Sequence, residues 1–208
     1  VTTKNDILVT GSTPANAYAL IGAATTDTDS DFVINAGRDV IVNASGGGDS
    51  SYAGIGQVFV DHSKDGTKIS NITVNAGRNI TITGGSNPKT LAQIGHSIGS
   101  DDGADLTITG NISVTSVGPV TIRGGSGEDS LAMIGMGGPE NGNDIINGNV
   151  SVAASNFDLR GGSGDYAGAA IGFYSTQPVG TVDLNSTNVR VETFSGNTNY
   201  LVPGSGLE

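Results

Sequence analysis

The chain has 208 residues, with 9 Lys and Arg against 20 Asp and Glu for a formal net charge of −11, and it contains neither Cys nor Trp. That balance argues against a nucleic-acid ligand, which demands a basic stripe. The missing thiols exclude a disulfide framework, a thiol nucleophile and a Cys-ligated zinc site, and no apolar run approaches the roughly 18 residues that span a bilayer.

Glycine is abundant, at 34 residues. The 36% apolar content still includes many Val and Ile in alternating runs, enough to bury a core rather than leave the chain disordered. The first residue is Val1 and the last three are Gly206-Leu207-Glu208; the terminal Leu-Glu reads as a cloning scar on a piece excised from a longer protein.

Taken in chain order, the predicted elements are short strands that recur. Phe32-Val33-Ile34 precedes Val40-Ile41-Val42, and Ile72-Thr73-Val74 precedes Ile80-Thr81-Ile82. Then come Ile112-Ser113-Val114 with Val120-Thr121-Ile122, and Val150-Ser151-Val152 with Phe157-Asp158-Leu159. Apolar side chains fall at every second position, β-branched residues dominate, and the separators are Gly, Asn, Asp and Pro, which predicts strand throughout and no long helix.

Each of these pairs lies upstream of an Ala-x-Ile-Gly motif, which is present at 19–22, 53–56, 92–95, 132–135 and 169–172, with its glycines 34, 39, 40 and 37 residues apart. Chance would supply this motif about 0.1–0.2 times in such a chain. Gly-Gly-Ser precedes three of these motifs, at 84–86, 124–126 and 161–163, and a further strand such as Leu106-Thr107-Ile108-Thr109 closes the unit.

A four-strand unit of this length suits a propeller blade or a coil of a parallel β-helix. The junctions Thr109-Gly110-Asn111 and Asn75-Ala76-Gly77-Arg78 are too tight for a meander's hairpins and repeat in kind, so they read as corners. The expected fold is all-β: a parallel β-helix (β-solenoid) of about five 34–40-residue repeats over residues 1–195, with 196–208 as linker and scar. Equivalent residues would stack about 4.8 Å apart. The motif would then form a column of Ala, then Ile, then a Gly corner. Whether one unit makes one coil or two stays open from the pattern, with one coil and protruding loops favoured.

The strings 33–42, Val-Ile-Asn-Ala-Gly-Arg-Asp-Val-Ile-Val, and 72–82, Ile-Thr-Val-Asn-Ala-Gly-Arg-Asn-Ile-Thr-Ile, resemble the Ala-Gly-x-(Asp/Asn) repeats of filamentous-haemagglutinin-like proteins. Ala92-Gln93-Ile94-Gly95-His96 is similar to a motif of Gly-rich members of that group and of related autotransporter passengers. The resemblance implies a right-handed helix and a secreted or cell-surface protein of a Gram-negative bacterium, serving in adhesion and virulence. The partners it implies are a host-cell surface or extracellular glycan or protein receptor, besides neighbouring coils of the parent protein. The units at 115–119 and 153–156 depart from Asn-Ala-Gly-Arg, and no receptor carries over.

Candidate chemistry is sparse. Asp27, Asp29 and Asp31 have the spacing that opens an EF-hand loop, but Phe32 stands at its sixth position and Arg38 at its twelfth. A solvated acidic turn is expected there; with Asp101 and Asp102, which also follow an Ile-Gly, these are weak calcium candidates, and no metal or cofactor is predicted. His96 shares its slot with Gln57, Met136 and Phe173, and both it and His62 read as surface residues.

Asp158 alternates with apolar neighbours and so points outward. Arg123 and Arg160 are equivalent, each followed five residues later by an acid (Glu128, Asp165), which suggests two outward ladders of opposite charge. Tyr18 and Tyr52 read as packing residues, whereas Tyr166 and Tyr174 are the better surface candidates for binding a ligand. Six Asn-x-Ser/Thr sequons, at Asn43, Asn71, Asn79, Asn111, Asn149 and Asn185, arise mostly from the strand pattern. The expected role is structural display and attachment, presented by the loops after Gly-Gly-Ser and after Ile-Gly; a carbohydrate-active β-helix, or an inert stalk, is the alternative. No catalytic cluster unique to one coil stands out.

Overall fold

The computed structural model describes residues 1–11, 13–24, 29–45, 48–59, 66–98, 106–137, 145–174, 177–192 and 200–202. The described residues form strands, turns and bends with no helix, and every strand pairing is parallel. The chain is a β-solenoid whose strands sort into four sheets.

The first sheet stacks Thr2–Thr3, Phe32–Ala36, Ile72–Ala76, Ile112–Ser116, Val150–Ala153 and Val182–Asn185. The second stacks Ile7–Thr10, Val40–Asn43, Ile80–Thr83, Val120–Arg123, Phe157–Arg160 and Val189–Glu192. Tyr18–Ala24, Tyr52–Phe59, Leu91–Ile98, Leu131–Gly137, Ala169–Tyr174 and Tyr200–Val202 make the third, and Gly66–Ile69, Leu106–Thr109, Ile145–Asn147 and Gln177–Val179 the fourth. The chain visits the four sheets in turn before returning to the first, so one unit of the repeat is one coil.

Register follows from side-chain chemistry. Ile72, Val74 and Ala76 are buried while Thr73 and Asn75 alternate outward, as a half-buried strand requires. A one-residue slip would turn those apolar groups to water, so the pairing Ile72↔Ile112, Val74↔Val114 and Ala76↔Ser116 is fixed. The Ala-x-Ile-Gly motifs stack likewise: Ala19, Ala53, Ala92, Ala132 and Ala169 form one column, and Ile21, Ile55, Ile94, Ile134 and Ile171 another. These join the inward residues of the other sheets in one core containing Ile34, Val42, Ile82, Ile122, Phe157 and Leu159. Each fully buried Ile contributes about 1.5–3 kcal/mol relative to exposure.

The motif's glycine is not a corner. The strand Leu91–Ile98 continues through Gly95, and the sister strands continue through Gly22, Gly56, Gly135 and Gly172. Gly95 and Gly135 both have φ +153°, and a Cβ on Gly95 would collide with the Gly135 carbonyl oxygen. The glycine therefore keeps adjacent coils close while the strand runs on, and it lets the next residue point inward.

That shifts the expected place of His96. It is fully buried rather than at the surface, in a column with Ala23, Gln57, Met136 and Phe173. The third sheet is also unusual in burying its other face, where Tyr52, Val58, Leu91, Leu131, Met133 and Ala170 form a second apolar cluster.

Candidate functional site

The outward face of the second sheet carries most of the chain's arginines. Arg123, Arg160 and Arg190 account for three of the chain's five arginines. Strand alternation puts Arg123 beside Arg160 in register and Asp158 beside Arg190. Stacked like charges repel, and Asp158, together with Glu192 in register beside Arg160, offsets that repulsion. Arg160 donates from Nε to Asp158 Oδ1 at 2.9 Å and from Nη2 to Oδ2 at 2.8 Å, a two-pronged pair within one strand. The Arg160 guanidinium holds the Asp158 carboxyl below the usual carboxylate range, with further attraction from Arg190 and Arg123. Asp158 is thus held as a carboxylate and is not poised to donate a proton.

Of the two outward ladders expected, Arg123 and Arg160 do stack in register, and the acid that pairs with Arg160 is Asp158 on its own strand rather than one five residues on. A residue two positions away on the same strand face reaches the guanidinium with no loop to cross. Among the described residues Arg123 has no carboxylate within ion-pairing distance, and its side chain is exposed.

Beyond the two arginines the chain enters Gly124-Gly125-Ser126 in one coil and Gly161-Gly162-Ser163 in the next. These eight residues, Arg123 and Arg160 included, line a groove of about 300 Å³. Its floor lacks side chains for a steric reason. A Cβ on Gly125 would collide with the Gly85 carbonyl oxygen and one on Gly162 with that of Gly125, so stacking itself selects glycine. Gly124 N–H donates to Arg160 O at 2.9 Å, tying floor to wall.

After Gly-Gly-Ser comes a turn whose sequence changes but whose shape repeats. Asn16, Ser50, Lys89, Asp129 and Tyr166 all adopt left-handed backbone, with φ between 54° and 57°. Such geometry costs about 1–2 kcal/mol for a non-glycine residue, and the stack offsets it. Ser50 N–H donates to Pro88 O at 2.9 Å, Lys89 N–H to Glu128 O at 2.7 Å and Asp129 N–H to Asp165 O at 2.8 Å. Behind the turns the Thr90 and Ser130 hydroxyls meet at 2.6 Å. The segments after Gly-Gly-Ser are therefore a regular ridge with interchangeable side chains, not irregular loops. Exposed Tyr166 crowns it (70% accessible), preceded by Asp165 in its own turn, with Glu128 and Asp129 in the turn one coil away.

The other site expectations divide. Tyr174 ends the strand Ala169–Tyr174, but its side chain lies outside the described residues, as do Asp27, Asp101 and Asp102. Asp29 and Asp31 serve the next coil: Ile69 N–H donates to Asp29 Oδ1 at 2.9 Å, and Asn71 N–H to Asp31 Oδ1 at 2.9 Å. These bonds spend the carboxylates on backbone, and the Asn71 N–H lowers the Asp31 pKa. No three metal-binding side chains cluster among the described residues. Tyr52 is buried, its ring centroid 6.3 Å from that of Tyr18, which is about half exposed. The sequon residues Asn71, Asn79, Asn111 and Asn149 all hydrogen-bond between coils through their side chains.

Sequence reasoning missed His96 and the groove. His96 Nε2 lies 2.8 Å from Ser70 O, and since a carbonyl only accepts, Nε2 carries the proton. Burial lowers its pKa to about 4. The alternation Ala92, Ile94, His96 was the available signal; reading the glycine as a corner hid it. Comparison with known protein families, with curated proteins and with solved structures finds no match in any of the three.

Proposed function

We propose that this chain is a segment of a large secreted or surface-exposed bacterial adhesin, in which a stack of equivalent coils displays a ridge of variable side chains to a host-cell surface or an extracellular glycan or protein receptor. The observation that carries the reading is the repeated left-handed turn. Five residues as different as Asn16, Ser50, Lys89, Asp129 and Tyr166 occupy one backbone geometry, so the fold presents side chains without depending on which ones they are. The resemblance of the Asn-Ala-Gly-Arg strings to filamentous-haemagglutinin-like proteins supports the same reading and the bacterial surface as its location.

A glycan array, a panel of immobilised host-surface proteins and a panel of soluble polysaccharides separate attachment from its rivals. Retention on a glycan or protein without turnover supports attachment. Release of new reducing ends supports a carbohydrate-active β-helix instead, and neither retention nor release supports an inert stalk.

A further inference from the structure

We propose that the groove between Arg123 and Arg160 binds the carboxylate of an acidic saccharide, of the uronic-acid type. Charge is the first argument. The chain carries −11 overall, yet on this strand face Asp158 stands in register with Arg190 and Glu192 with Arg160, which leaves Arg123, between Thr83 and Arg160, with no carboxylate in register. At physiological ionic strength charges are screened beyond about 8 Å, so the unmatched charge of Arg123 weighs more at the groove than acids on other faces of the chain.

Shape is the second argument. The glycines that line the groove add no side chains to it, and stacking leaves Gly125, Gly161 and Gly162 buried beneath its arginine and serine side chains. Its volume of about 300 Å³ stands at the small end of ligand pockets, which run from about 300 to 1,000 Å³, and suits a saccharide unit rather than a large ligand.

Orientation is the third. Asp158 grips Arg160 by Nε and Nη2 and fixes the plane of its guanidinium. Arg123, exposed and beside it in register, meets no described carboxylate. Its planar fork matches a carboxylate in two parallel hydrogen bonds. The acids of the ridge, Glu128 and Asp165, flank the groove along the chain and disfavour ligands of high charge density, which points to a single carboxylate rather than a sulfate cluster.

This inference names a ligand class for the attachment reading and rests on it, and the test keeps the two apart. The wild-type chain is titrated with a uronic-acid oligosaccharide, its carboxyl-reduced neutral counterpart and a sulfated oligosaccharide, by calorimetry and by chemical-shift perturbation. Attachment of the chain to cultured cells is measured in parallel. Arg123→Thr is the variant, because Thr83 already occupies the stacked position and the fold accommodates it; Arg78→Gln, on another corner, is the control.

The expected result is binding of the uronate alone, weakened about tenfold or more in Arg123→Thr, unchanged in Arg78→Gln and reduced by salt. Equal binding of the neutral sugar, preference for the sulfated one, or an unchanged Arg123→Thr overturns the groove assignment. Cell attachment without uronate binding overturns the groove but not attachment; uronate binding without cell attachment retains the groove and overturns the attachment reading.

Discussion

Asn71 Oδ1 accepts the backbone N–H of Asn111 at 3.0 Å, although the two residues stand forty positions apart. The contact is one rung of a series. Asp31 Oδ1 takes the Asn71 N–H at 2.9 Å, Asn111 Oδ1 takes that of Asn149 at 3.1 Å, and Asn149 Oδ1 takes that of Thr181 at 3.1 Å. At this corner the ladder bonds of the neighbouring sheets are interrupted, and a side-chain oxygen substitutes for a carbonyl. Asx side chains suit it because they are short enough to cap a backbone donor one coil away.

Replacing Asn111 by Ala is expected to cost about 0.5–1.5 kcal/mol, the net worth of one hydrogen bond where water can reach the freed donor. Asn111→Asp keeps the acceptor, as Asp31 does naturally, and should recover most of that loss at neutral pH. Chemical denaturation midpoints decide it: equal destabilisation by Ala and Asp would mean that the oxygen is not what matters.

Much of the fold was legible because a solenoid repeats its constraints. Ile72, Ile112 and Val150 announce one column, and the alternation around each fixes which face is inside. One unit proves to be one coil because each strand finds its partner a full repeat away, as Leu91 does with Leu131. The site was less legible. Arg160 pairs with Asp158 rather than with an acid five residues on, and that choice depends on which side chains share a strand face. The groove exists only where two Gly-Gly-Ser segments stack beside two arginines, a relation between coils that no single unit contains. Tyr166 was readable as exposed, but the turn holding it, with φ 56°, carries no fixed residue type.

Gly95→Ala tests the close approach of coils. The added Cβ meets the Gly135 carbonyl oxygen, backbone rather than a yielding side chain, and φ +153° is itself disfavoured for alanine. The variant should be more destabilised than Ile94→Ala, for which burial in the core sets a cost of about 2–5 kcal/mol. Thermal unfolding of the two variants side by side gives the order, and a Gly95→Ala protein as stable as wild type would show that neighbouring coils can separate.

His96 makes stability depend on pH. Its folded pKa is lowered to about 4 from an ordinary 6.5 by burial, so the unfolded chain binds the extra proton first. Stability contributed by the neutral ring is present above about pH 6.5 and declines as pH falls toward about 4, below which both states are protonated. Over that window the loss is up to about 3 kcal/mol. Asp39 and Asp158, lowered by Arg78 and Arg160, act in a separate window, because their contributions persist above the ordinary carboxylate value of 3.8 and fade only below it. In His96→Met, which copies the stacked Met136, denaturation midpoints between pH 6.5 and 4 should lose most of their slope, whatever the change in absolute stability. A persistent slope would place the sensitivity elsewhere.

Asp158→Asn separates the strand-face ion pair from the stability of the coil. The pair is at the surface, and its removal should cost less than about 1 kcal/mol. Its effect on charge is larger: the arginines of this face lose one of the two carboxylates that stand among them, and Arg160 loses the two-pronged bond to Asp158. Salt should therefore stabilise Asp158→Asn more than wild type, by screening Arg123, Arg160 and Arg190 from one another. Unfolding midpoints at low and high sodium chloride provide the measurement. Parallel salt dependence in the two proteins would mean that Asp158 does not balance this cluster.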